Sequence, residues 1–235
     1  MEETEGRTPN DVLCDIAMEI GDMMGFEATA EFSGFEDLTM KWSRTNRKIH
    51  LKISDYLDTA PEKVLRSTVK YIFKRVDRIV ARCDPMYRWV ATEEFLDAKR
   101  QTYLERNGYT RKKGTHRNLE DNFASLKDMG LASEDDGVEY CWTGEQGLTT
   151  CGLSSSIFKV AAVSDTLDRE SVPDDVLDWV LYFHWCRAAE GYIVYDEEEK
   201  ESERRIRDAR CMFPDRKRCQ DWVDKWVSRD MSPGR

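Results

Sequence analysis

Few residues in this chain are suited to chemistry at neutral pH. Histidine is the usual acid–base group and metal ligand there, and the sequence holds three: His50, His116 and His184. His184 lies in the most apolar run, VLDWVLYFHWC over residues 176–186. Chemistry there would need a second group on the same helical face. Cys186 follows by two residues, roughly 200° round a helix of 3.6 residues per turn, so the two side chains diverge. Glu190, six residues on, is also off that face. Cys211, Cys219 and the carboxylates of residues 196–208 are the groups left to approach from the C-terminal segment. Without them His184 is a neutral core imidazole that needs one or two hydrogen-bond partners. The second candidate is the basic loop over residues 106–117, where Arg111, Lys112, Lys113 and Arg117 accompany Tyr109 and His116. That composition could meet phosphate, but a solvated loop on an acidic protein is the favoured reading.

Composition narrows the classes. The net charge of −10 opposes general nucleic-acid binding. Apolar residues at 40% with 35% charged indicate a soluble globular chain of 235 residues with ample core. No apolar run approaches the roughly 18 residues of a membrane span, and the first five residues, MEETE, do not read as a signal peptide. Seven scattered cysteines without a CxxC pair read as reduced thiols. A cytoplasmic protein without membrane contact is the expectation.

The elements that must position these residues follow from periodicity. Val12, Ile16, Ile20 and Met23 predict a first helix from Asn10 or Asp11 to Gly25. Period-two alternation at Ala28 to Phe32, Leu38 to Trp42 and Ile49 to Ile53 predicts a three-stranded meander, with His50 on its exposed face. Pro61 opens a second helix with Val64, Thr68, Ile72, Val76 and Ile79 inward. Residues 83–90, with Pro85, read as a linker or kink. Thr92 caps a third helix to Asn107, and a short fourth carries Leu119, Phe123 and Leu126 and ends at Gly130. Val138, Tyr140 and Trp142 predict a strand, residues 144–147 a turn, and residues 157–164 a strand well inside a sheet. Ser171, Pro173, Asp174 and Asp175 then start a buried helix that Gly191 ends. Residues 196–210 form a solvated helix or a mobile stretch, and Cys219, Trp222, Val223, Trp226 and Val227 a helix packed on the core. No internal repeat is evident.

Several segments, taken in order, resemble an archaeal group of SprT-like zinc peptidases of the zincin type. They are Lys41-Trp42-Ser43-Arg44, Ile53-Ser54-Asp55-Tyr56-Leu57, His116 to Glu120, Asp128-Met129-Gly130-Leu131, Val160 to Ser164, Val172-Pro173 through Tyr182, and Phe213-Pro214 before the last helix. The resemblance covers about residues 40–228. It implies an α+β fold in one zincin-like domain over 1–235, a small, mostly antiparallel sheet against a buried active-site helix. The parts are helix plus meander (1–58), a helical layer (61–130), strands and central helix (138–192), and a charged segment with C-terminal helix (193–235).

In such peptidases that helix carries HExxH: two histidines one turn apart hold zinc and the glutamate activates its water. Here the run is His184-Trp185-Cys186-Arg187-Ala188. The first histidine matches, Trp185 stands for the base, Ala188 for the second histidine, and the later ligand falls near Ser202. The resemblance thus implies an inactive relative without zinc, retained to bind protein or peptide by strand addition near residues 151–164. Two alternatives stay open: a metallopeptidase using His184 with Cys211, Cys219 or a carboxylate, and a nucleic-acid role for Arg111, Lys112, Lys113 and Arg117.

Overall fold

The computed structural model describes residues 6–79, 83–144, 150–191 and 196–230. They form two compact units, Met1–Thr92 and Glu93–Arg235. Where one sheet in one domain is expected, each unit carries its own three-stranded sheet. The fold class is α+β.

In the first unit, Thr8 and Asp11 form a capping box that starts α1 (Pro9–Met23), which buries Leu13, Ile16, Ala17 and Ile20. Gly25, at φ 78°, ends it in a conformation that glycine adopts without strain. The strands β1 (Glu27–Ser33), β2 (Met40–Thr45) and β3 (Lys48–Ser54) are not a meander. Their order is β1-β3-β2, with β1 parallel and β2 antiparallel to β3. Burial explains the order. Ile49, Leu51 and Ile53 of β3 are at most 2% exposed, whereas β2 is exposed over nearly its whole length. The strand with a complete apolar face takes the centre, and the one bearing Lys41, Ser43 and Arg44 takes the edge. His50 is half-buried and accepts or donates a 2.9 Å hydrogen bond with Thr29 Oγ1. A 3-10 turn at Asp55–Leu57 leads into α2 (Glu62–Val76), which buries Val64, Leu65, Thr68, Val69, Ile72 and Phe73. Ile79 lies past its end and is exposed. The expected linker at 83–90 is instead a helix, α3 (Asp84–Val90), because Pro85 sits in its first turn, where no N–H is needed.

The second unit opens with α4 (Glu93–Arg106) and α5 (Leu119–Asp128). Gly130 at φ 68° and the Leu131 N–H to Leu126 C=O bond close α5 in a Schellman motif. The sheet strands are β4 (Glu139–Trp142), β5 (Gly152–Ser155) and β6 (Val160–Val163), in the order β4-β6-β5. Again the first strand is parallel and the second antiparallel to the third, so neither sheet is mostly antiparallel. Of the expected turn at 144–147, only Gly144 is among the described residues. Against this sheet lies α6 (Asp174–Glu190), followed by α7 (Asp196–Arg210) and α8 (Arg216–Asp230). Charged as it is, α7 buries Ser202 and Ile206, 4% and 2% exposed, and packs on α6.

The two units repeat one succession: helix, three strands in the same pairing, a 3-10 turn, a helix. Ser54 and Ser164 each cap the turn by accepting an N–H two residues on, from Tyr56 and Thr166. Their own N–H groups each reach the carbonyl before the second strand, Thr39 at 2.9 Å and Cys151 at 3.0 Å. Pro61 and Pro173 then cap α2 and α6. The sequence carries the repeat only here, as Ile53-Ser-Asp-Tyr-Leu-Asp58 against Val163-Ser-Asp-Thr-Leu-Asp168, then Pro-x-x-Val-Leu. A repeat this short is easily missed, and the reading without one is corrected. From the prolines onward, His184 corresponds to Ile72 and Trp185 to Phe73.

Candidate functional site

In the second unit α6 packs against its sheet over strands built from small residues. Ala161 and Ala162 are fully buried, and Gly152 lies directly under the helix. A Cβ on Gly152 would stand 2.8 Å from His184 Nε2 and clash with the Ala162 carbonyl oxygen, so only glycine fits.

His184 is 7% exposed. Its Nε2 faces the Cys151 thiol at 3.9 Å, and among the described residues its Nδ1 has no hydrogen-bond partner. The Phe183 ring meets it edge-on at 5.3 Å. Burial, helped by the positive charge of Arg210, lowers its pKa to about 4, so the imidazole is neutral at neutral pH. Burial also raises the Cys151 thiol. The pair is therefore neutral thiol and neutral imidazole. A cysteine nucleophile needs a thiolate and a base whose second nitrogen is oriented by a third group, and neither condition is met.

Trp185 is 2% exposed, and its indole N–H donates to Asp136 Oδ2 at 2.9 Å. Its ring packs on Phe123 and Tyr140, with centroids at 5.0 and 6.2 Å. Ala188 is fully buried. Three further bonds tie the helix down: Asp178 accepts from Asn122 at 2.6 Å and Ser125 at 2.8 Å, and Tyr182 donates to the Ala209 carbonyl at 2.8 Å. Trp185 and Ala188 are thus both core.

The other ligand candidates are elsewhere. The Cys219 thiol donates to the Asp175 carbonyl at 3.6 Å, at the opposite end of α6 from His184. Nine residues of helix separate them, about 13 Å at 1.5 Å per residue. Cys211 is exposed just after α7. Of the α7 carboxylates, Glu203 pairs with Arg187, and Glu201 and Asp208 with Arg204. Among the described residues no three His, Cys, Asp or Glu side chains converge on one point.

The basic loop is held by acids of its own unit. Arg111 pairs with Asp165 and Lys112 with Glu139, at 2.7 and 2.9 Å. Arg117 pairs with Asp174 and also donates to the Glu170 carbonyl. The Asp168 carboxylate accepts the N–H groups of Thr115, His116 and Arg117. Gly114 leaves room for that carboxylate, which a Cβ would strike. Lys113 is exposed.

Comparison with protein-family models, with curated proteins and with solved structures finds no match. Cys151, Asp136, Asp168 and Asp178 are the partners that sequence reasoning did not find. Only Asp168 left a signal, as the last residue of the repeated Ser-Asp-x-Leu-Asp segment. No helix among the described residues is long and apolar enough to cross a membrane.

Proposed function

We propose that this chain is an inactive relative of the SprT-like zinc peptidases that acts by binding an extended protein segment. The observation carrying this reading is the packing of Trp185 and Ala188. The side chains at the positions of the catalytic glutamate and second histidine fill the core, and the indole N–H is already bonded to Asp136. A water-activating site needs a polar opening and three protein ligands. Ser202, at the later ligand position of the resemblance, lies buried in α7, the helix packed on α6.

Strand addition supplies the binding mode. Among the described residues β5 has β6 as its one strand neighbour. Cys151 and Ser164 form a hydrogen-bonded pair, so by antiparallel alternation the main-chain groups of Gly152 and Ser154 point away from β6. An extended peptide can pair with that edge directly beside the former active helix. The test is an assay of the full chain with added zinc against unfolded protein substrates. No cleavage is expected, and cleavage that His184→Ala abolishes overturns the proposal. The nearest competing reading, a metallopeptidase with unusual ligands, draws on Cys151 beside His184. Those two groups fall one short of a zinc site.

A further inference from the structure

On the outer side of α6, away from the sheet, α6, α7 and α8 enclose a cavity of about 640 Å³. Its volume lies in the range of small-molecule sites. Four cations line it, Arg207, Arg210, Arg216 and Lys217, against the carboxylates of Glu203 and Asp221. In a chain of net charge −10, that excess is local and of the opposite sign.

The pairing of the cations separates two groups on the same three helices. Arg187, Arg204, Arg205 and Arg218 each hold a carboxylate: Glu203, Glu201, Glu190 and Asp175. Among the described residues, none of the four cavity cations is in an ion pair. Glu203 is already engaged by Arg187 at 2.6 Å, which leaves the cavity more positive still. Arg210 is half-buried. Its guanidinium lies 3.5 Å over the Phe183 ring and donates to the Phe183 carbonyl at 2.8 and 3.1 Å. A neutral carbonyl does not compensate a desolvated charge, and burial holds this guanidinium below its usual pKa. The first two turns of α8 also face the cavity, adding the positive end of that helix.

We infer that this cavity binds a compact phosphorylated anion through Arg207, Arg210, Arg216 and Lys217. Guanidinium forks match phosphate oxygens, and a lysine adds a point charge. Trp179 and Phe183 form the apolar floor and favour an anion that is partly desolvated there. The inference is independent of the role of His184.

Calorimetric titration of the full chain with inorganic pyrophosphate at constant ionic strength tests this. Saturable one-to-one binding is expected. Arg207→Ala with Arg216→Ala, both exposed side chains whose removal spares the fold, is expected to weaken it on the order of tenfold or more. Arg204→Ala with Arg205→Ala, the paired cations of α7, is expected to leave it unchanged. Absence of saturable binding, equal loss in both double variants, or tighter binding of citrate or of a poly-glutamate peptide overturns the assignment.

Discussion

The indole N–H of Trp185 donates to the Asp136 carboxylate at 2.9 Å, so this buried ring serves as a structural tie between α6 and the turn before β4. Asp136 in turn accepts the Ser133 N–H at 3.0 Å, which fixes the turn before β4. Trp185→Ala should therefore lose both a large buried ring and this bond. Denaturant unfolding is expected to show a loss of about 3–5 kcal/mol. A loss under 1 kcal/mol would mean that the ring is not packed as described.

His184 offers a pH test. Its folded pKa, about 4, lies below the ordinary 6.5, so the folded state binds the proton less well than the unfolded one. The associated stability is complete above pH 6.5 and is lost as pH falls from there to 4, up to about 3 kcal/mol. His184→Ile copies the corresponding residue of the first unit, the fully buried Ile72. The variant is expected to be at least as stable at pH 7, because it removes an imidazole nitrogen that has no partner. Its advantage over the native chain is expected to grow as pH drops through that window. Parallel stability curves from pH 7 to 4 would contradict a buried neutral imidazole.

Asp178 joins α5 to α6 through Asn122 and Ser125. Removing it with Asp178→Ala strands a buried amide and a hydroxyl. The expected loss is about 2–3 kcal/mol at pH 7. Asn122→Ala with Asp178→Ala is expected to cost less than the sum of the two single changes, since no donor is then stranded.

The edge of β5 makes a prediction about exchange. The Leu153 and Ser155 amides point to β6 and should be protected, while the Ser154 amide points outward and should exchange much faster. A peptide that adds as a strand should protect Ser154, and Ser154→Pro should abolish that binding with little change in stability. Equal protection of all three amides in the free chain would show that the edge is already covered.

Local structure was legible where apolar periodicity and caps agree. The helix now seen as α6 was bounded within a few residues by Pro173 and Gly191, because a run apolar on all sides between a proline and a glycine has few other solutions. The central place of β6 followed from its unbroken Val-Ala-Ala-Val. Sheet order was not legible. All three segments alternate in the sequence, and the choice of β3 as centre depends on pairing between strands far apart in the chain, a long-range matter. The linker at 83–90 misled because Pro85 breaks a helix in its interior but starts one in its first turn. At the site, the sequence showed a single buried histidine but not what packs around it. The approach of Cys151 to His184, and of Asp136 to Trp185, joins residues 33 and 49 positions apart. No spacing rule reaches that far.

If the chain is an inactive relative of the SprT-like zinc peptidases, as proposed, it holds no catalytic metal. Elemental analysis of the full chain, purified without chelators from zinc-replete medium, tests it most directly. Zinc far below one equivalent per chain is expected, unchanged by His184→Ala. One zinc per chain, lost in that variant, would contradict it.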